Sequence, residues 1–305
     1  MRIDRRKFLT TTLAGAGGMM LGCSGADAQR PAASATNPYE LVPLGKTGLK
    51  VSRIGFGTGM RGGGRNSDQT RLGQERFEAL LAAAYQRGVR LFDMADMYGT
   101  HAYVGRALKK MPRNQYVLTT KIWVRRGGLP EPERSAANVL VDRFRKEIGT
   151  DYIDIVQIHC MSDRTWTDAE KRQMDLLENL KAKRIIRAHG VSCHSLDALE
   201  TAAGHPWVDC LHARINAFGT VMDGPPEKVA PLLAKAHAAG KGVIGMKLIG
   251  EGRFRNDDAK KDESVRYVLG LGSVSTMIVG FMSETEIDDF SGRVLKAMQG
   301  PKAKA

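Results

Sequence analysis

The chain has 305 residues, 42% hydrophobic and 26% charged, a globular composition with enough length for one large domain or two small ones. No apolar run reaches the ~18 residues of a membrane-spanning helix. The formal charge of +13 comes from Lys and Arg scattered among acids, with no zinc-finger or RNP pattern, so it reads as a solvated basic surface and against nucleic-acid binding.

Residues 1–28 have the form of an export signal: a basic start, a short apolar stretch from Phe8 to Leu21, and small residues at the end. Arg5-Arg6 followed by Phe8-Leu9 resembles a twin-arginine signal, although Asp4 stands where Ser or Thr is more usual. Ala26–Ala28 offers a peptidase site, and Cys23, ending "MLGC", offers a lipid-attachment site instead. The expectation is an exported, periplasmic protein, either soluble or anchored through Cys23. Residues 29–38 read as a polar Ala/Pro linker, and residues 39–300 as the folded body. Of the four cysteines, Cys23, Cys160, Cys193 and Cys210, none pairs at CxxC spacing, which argues against zinc or an iron–sulfur cluster. Cleavage after Ala28 leaves an odd number, against a disulfide framework.

The body opens with "YELVPLGKTGLKVSRIGFGTG", a short hairpin turning at Gly45–Gly48 and running into a strand. Seven more apolar runs follow: "RLFDMAD", "YVLTTKIW", "YIDIVQIH", "AHGVSCH", "VDCLHARIN", "GVIGMKL" and "VSTMIVGF". Helical periods fall between them at 71–87, 102–110, 133–148, 168–183, 196–203, 228–239 and 263–271, and a last one at 284–298 closes the chain. Strict strand–helix alternation implies parallel βαβ units, and eight pairs in this length predict an α/β (β/α)8 TIM barrel with a short N-terminal β-hairpin. A doubly wound sheet is the rival, but the glycine-rich "GFGTGMRGGG" lacks the helix start that a dinucleotide fingerprint requires. The segment "MRGGGRNSDQ", 60–69, reads as either a lid or a flexible loop.

Asp93 follows an apolar strand directly, and a buried carboxylate there needs a cationic or hydrogen-bonding partner. Lys121 ends the next strand and is that expected partner. Tyr98 lies just beyond Asp93, and His159 ends the fourth strand. All four fall at the C-terminal ends of consecutive strands, where barrel enzymes hold their chemistry. Lys121 beside a phenol is expected to depress the Tyr98 pKa, with Asp93 orienting the ammonium. The competing reading is a rim ion pair and a satisfied core histidine. A metal-dependent hydrolase built on His159, His189 and His194 lacks a carboxylate at ligand spacing.

The motif set resembles the aldo-keto reductase family over nearly the whole body: "LGKTGLKVSRIGFGT", "FDMADMYG", "TTKIW" and "DYIDIVQIH" in order. The resemblance implies reversible reduction of aldehyde or ketone carbonyls by NADP(H) or NAD(H), without a metal. It makes Tyr98 the general acid, Lys121 and Asp93 its tuning pair, and His159 the group orienting a small-molecule carbonyl. It places the cofactor on Gly57, Thr58, Ser192, Asn216, Lys247, Gly250, Gly252, Arg253 and Gly280. Cys193 stands where the family usually has Asn, and His212 sits near its usual Gln. NADP-preferring relatives carry basic residues where this chain has Gly280 and Glu286. Ser283 and Glu286 also fit a helix capping box. NAD therefore stays open beside NADP, with Arg253 and Arg255 the reason to retain the latter. Trp123, Met97 and Met161 are candidates to line an apolar pocket. The alternative function is a dinucleotide-binding redox-sensing or scaffold module with little turnover.

Overall fold

The computed structural model describes residues 37–300. The export signal, Cys23 and the linker up to residue 36 lie outside the described residues. Strands β1 (Leu41–Pro43) and β2 (Lys50–Ser52) form the antiparallel hairpin. Eight parallel strands then close a barrel: β3 (Ile54–Gly57), β4 (Leu91–Asp93), β5 (Val117–Ile122), β6 (Ile153–Met161), β7 (Ile186–Cys193), β8 (Cys210–Arg214), β9 (Gly242–Met246) and β10 (Thr276–Val279). They lie in chain order, and β10 completes the ring by pairing with both β9 and β3.

The helices are α1 (Gln74–Arg87), α2 (His101–Leu108), α3 (Ala137–Ile148), a short α4 (Trp166–Ala169), α5 (Lys171–Ala182), α6 (Leu196–Gly204), α7 (Pro226–Ala238), α8 (Asp258–Gly270) and α9 (Glu284–Gln299). Two starts differ from the periodicity by four residues or more. Helix α3 begins four residues later than expected, after a polar stretch with no apolar repeat. Helix α8 begins five residues earlier, because the Asp257 carboxylate accepts the Lys260 N–H and caps a charged first turn that has no apolar stripe to betray it.

Strand side chains alternate between the barrel lumen and the helix layer, and this parity builds the site. At the lower end of the lumen, Leu91, Val117, Ile155, Ala188, Cys210, Ile244 and Ile278 form a dry plug. The hairpin seals it from below with Leu44, Leu49 and Val51. One or two steps up the same faces, the lumen turns polar with Asp93, Lys121, Gln157, His159, Ser192 and His212, all buried. The opposite faces, such as Phe56, Phe92, Leu118, Ile158 and Val191, join the larger core under the helices. The plug thus supports a polar floor at the C-terminal end of the strands.

Candidate active site

Asp93 ends β4 with 5% exposure, and Lys121 on β5 has 1%. The Lys121 ammonium donates to Asp93 Oδ1 at 2.5 Å and to the Met94 carbonyl at 3.0 Å. His212 on β8 approaches the same carboxylate oxygen from across the lumen, its Nε2 at 3.1 Å. Burial alone would raise the Asp93 pKa, but Lys121 and His212 outweigh it and bring it down to about 2, so the carboxylate is ionised. Burial pulls the Lys121 pKa below its usual value while Asp93 opposes the shift.

Tyr98 closes a single helical turn, Asp96–Tyr98, ended by Gly99 in the left-handed region. Its hydroxyl lies 3.4 Å from His159 Nε2, and its ring stands edge-on to the imidazole at 5.6 Å between centroids. The Lys121 ammonium sits over the Tyr98 ring, 5.2 Å from its centroid. Here the structure departs from the expected depression of the phenol pKa. Burial drives Tyr98 above the usual phenol range, and Asp93 and Cys160 push the same way. The ammonium is turned onto Asp93 and the Met94 carbonyl, so the loss of hydration decides the direction. His159 is held neutral, its pKa pulled well down first by burial and then by Lys121. Its Nδ1 is buried and has no partner among the described residues.

Two further histidines join the site: His212, placed in the sequence only near the family's usual Gln, and His194, weighed there only as a metal ligand. His212 shares lumen parity with Cys210 and Arg214, a signal available in "CLHAR" once the inner face is known. His194, just past β7, packs 6.3 Å from the His159 ring, and burial, reinforced by Arg214, takes its pKa to about 3. His189 by contrast faces outward, stacked on Trp207 at 4.2 Å and bonded to Glu178 at 2.8 Å. No group of His, Cys, Asp or Glu among the described residues is arranged to hold a metal. Trp123 stands edge-on to His159 at 5.3 Å, and Met97 packs beside it against Gly128. Met161 lies instead in the barrel–helix core.

The residues expected to hold a dinucleotide divide into two groups. Ser192 accepts the Cys160 N–H at 2.8 Å and keeps its own hydroxyl proton to donate from the lumen face. Lys247, Gly250, Gly252 and Arg253 share one loop after β9, with left-handed backbone at Lys247, Gly250 and Gly252. Arg253 is exposed and has no carboxylate partner among the described residues, whereas Lys247 pairs with Glu251 at 2.5 Å. An exposed cation on a glycine-bearing loop past a barrel strand suits a phosphate.

Four other positions offer less. The Thr58 hydroxyl is fully buried between the Asp93 carbonyl and the Thr100 hydroxyl, both at 2.7 Å. Asn216 has no free polar atom: its amide donates to the Thr220 and Lys247 carbonyls and its oxygen accepts the Phe218 and Thr220 N–H groups. Its role is to fold the loops after β8 and β9 together. Gly57 and Gly280 contribute backbone only, and the Met60 side chain lies over Gly280. Cys193 takes outward parity into the barrel–helix core, where burial pushes its thiol pKa up, so it does not face the lumen.

The fold and this rim define a (β/α)8 barrel with an acid, a lysine, a tyrosine and a histidine gathered at the C-terminal ends of its strands. The model of the aldo/keto reductase family matches residues 53–267, and the chain belongs to that family. An NADH-specific methylglyoxal reductase from Escherichia coli K12 is 30% identical over 200 residues, covering 60% of this chain and 60% of its own length. Aldo-keto reductase YhdN from Bacillus subtilis 168 is 27% identical over 243 residues, covering 73% and 69%. The chain therefore spans about 60% of the length of the first relative and somewhat more of the second. The holo form of an aldo-keto reductase from Bacillus halodurans matches with a TM-score of 0.65 at 19% identity, over 87% of this chain and 93% of that one, a likeness of fold.

Proposed function

We propose that the protein reduces aldehyde or ketone carbonyls to alcohols, reversibly, with Tyr98 as the general acid. The observation that carries this reading is the convergence of four side chains from three strands and one turn: Lys121 on Asp93 at 2.5 Å, and the Tyr98 hydroxyl 3.4 Å from His159 Nε2. A nicotinamide dinucleotide, when bound, supplies the hydride to the carbonyl carbon; Ser192, Lys247, Gly250, Gly252 and Arg253 are the residues that would hold it. As negative charge grows on the carbonyl oxygen, Tyr98 gives it a proton. The raised phenol pKa means that Tyr98 holds that proton throughout the neutral range. Lys121 offsets the charge left on the phenolate, and ionised Asp93 keeps the ammonium protonated against its own desolvation. Neutral His159 donates a hydrogen bond to the substrate oxygen and aligns it with the phenol.

Replacing Tyr98 by Phe removes only the hydroxyl. It is expected to lower kcat for a panel of aldehydes by about 10²–10⁴ while dinucleotide binding is retained. Unchanged turnover in Tyr98→Phe overturns the mechanism. For the cofactor, Glu286 favours NADH over NADPH. Its carboxylate accepts the Met282 N–H at 2.7 Å while its own N–H is capped by Ser283, which fixes an acid in the stretch where NADP-preferring relatives are basic. Nicotinamide fluorescence on titration with each reduced dinucleotide tests this, and tighter NADPH binding reverses it. The twin-arginine resemblance of residues 1–28 supports export of the folded protein, and cell fractionation with Arg5-Arg6 replaced by Lys-Lys tests it.

A further inference from the structure

The glycine-rich segment 59–65 does not hang over the barrel as a loose lid. Met60 N–H is held by the Gln69 side chain at 3.1 Å, whose amide reaches the Gly57 carbonyl at 3.1 Å. Gly63 and Asn66 exchange backbone hydrogen bonds at 2.9 and 3.0 Å. Gly64 N–H donates to the Gly128 carbonyl at 3.0 Å, and Arg65 N–H donates to the Met97 carbonyl at 2.9 Å. The segment is therefore internally braced and tied both to the Tyr98 turn and to the loop after β5.

Its backbone lies directly on the phenol. A Cβ at Gly62 would fall 2.5 Å from Tyr98 Cδ1 and 3.0 Å from Cε1, and a Cβ at Gly59 would overlap the Cδ2–Cε2 edge and Cζ of the same ring. Only glycine lets the main chain come this close. The turn that carries Tyr98 is clasped by the same segment. Arg65 Nε donates to Asp96 Oδ1 at 2.9 Å, and its two terminal nitrogens hold both oxygens of Glu131 at 2.6 and 3.0 Å. Asp96, 2% exposed, is gripped on its other oxygen by Arg143 of α3 at 2.7 Å.

We propose that Gly59 and Gly62 form a bed for the Tyr98 ring, and that Arg65 is the clasp holding it there, so that all three are positioning residues for the proton donor. The requirement for glycine at 59 and 62 is then steric and set chiefly by the Tyr98 ring. The proposal rests on Tyr98 acting as the general acid under the function proposed above. It reaches further by assigning the glycine-rich segment a part in setting where the proton is delivered.

A matched pair of variants tests it. Neither Gly62 nor Gly63 has left-handed backbone, so alanine carries no φ strain at either; a Cβ at Gly63 meets only Met97 Cε at 3.9 Å, whereas one at Gly62 meets the Tyr98 ring and, at 3.2 Å, the Gly59 carbonyl. Gly62→Ala is expected to lower kcat for aldehyde reduction roughly ten- to hundredfold, with the melting temperature and the NADH dissociation constant close to wild type. Gly63→Ala is expected to leave kcat unchanged. In the Tyr98→Phe background Gly62→Ala should cost little more, because the donor it misplaces is already gone. Arg65→Gln, which adds no atoms to the bed, should lower kcat in the same direction and serves if Gly62→Ala fails to fold.

Fluorine NMR of protein labelled with 3-fluorotyrosine, with Tyr98→Phe assigning the signal, reads the ring itself. The Tyr98 resonance should move in Gly62→Ala and stay in Gly63→Ala. A Gly62→Ala enzyme with wild-type kcat, an equal fall in both alanine variants, or an unmoved resonance overturns the bed. A wild-type protein that reduces no carbonyl with either dinucleotide instead overturns the functional reading, and the fluorine signal still decides the bed.

Discussion

At the scale of single residues, the direction of two pKa shifts decides how the site behaves with pH. Tyr98 goes up and His159 goes well down, both chiefly through burial. The proton donor is loaded and the orienting imidazole neutral around neutral pH. Carbonyl reduction is therefore expected to show a flat kcat between about pH 6 and 9, since neither group titrates there. A stopped-flow pH profile checks this, and a descending limb near pH 8 that vanishes in Tyr98→Phe would show a phenol made acidic instead. The Asp93–Lys121 pair was legible in the sequence because an acid at the end of an apolar strand demands a cation. The shift of Tyr98 was not, because it depends on where the ammonium points once Met94 supplies a second acceptor. Asn216 teaches the same lesson: its side-chain type suits a cofactor, but its four hydrogen-bonding positions are all used within the chain.

Among the elements, the hairpin of β1 and β2 matters to the site through what it seals. Leu44 is fully buried at the base of the lumen with Leu49 and Val51, against the strand residues that support the polar floor. Leu44→Ala is expected to destabilise the barrel by about 2–5 kcal/mol, as a large-to-small change at a fully buried site. A denaturant titration reads this as a lower midpoint at unchanged slope, and kcat in the absence of denaturant should hold because the polar floor lies one layer above. The eight strands were legible because each carries a run of apolar residues between turn signals, and the polar residues ending those runs marked the rim. What the runs could not show was parity. Cys193 and His194 are neighbours in sequence, yet the first faces the helices and the second packs beside His159. Nor could glycine content show that residues 59–65 are packed, because the partners that brace them come from the Tyr98 turn and the loop after β5.

For the molecule as a whole, barrel closure makes the two ends of the described chain interdependent. Strand β10 must pair with β3, and α9 is locked to α1 and α8 by charge. Arg87 of α1 grips Asp288 at 2.6 Å and Glu284 at 2.9 Å. Arg293 of α9 reaches Asp258, Asp262 and Asp289 at 2.7, 2.5 and 2.7 Å. The hydrogen bond from Arg87 holds the Asp288 pKa below its usual value, and that from Arg293 does the same for Asp289. For Asp262, desolvation is the largest influence and acts upward, but Lys296 and Arg293 together outweigh it. A carboxyl whose folded pKa lies below its unfolded value stabilises the fold above the unfolded pKa, near 3.9, and loses that contribution as pH falls through the folded one. The melting temperature should therefore hold from neutral pH to about pH 5 and fall steeply below about pH 4. In Arg293→Met the melting temperature at pH 7 should be lower and its acid slope shallower, because Asp289 loses the main partner that depressed it and Asp262 loses one of its two, keeping Lys296. Because β10, which closes the ring by pairing with β3, leads directly into α9, loss of activity is expected to track loss of far-UV dichroism in one transition. Calorimetry across pH 3–7 on both proteins measures the slopes, and an acid slope unaltered by Arg293→Met would assign the acid sensitivity to carboxylates elsewhere, with buried Asp93 beside Lys121 and His212 the next to test.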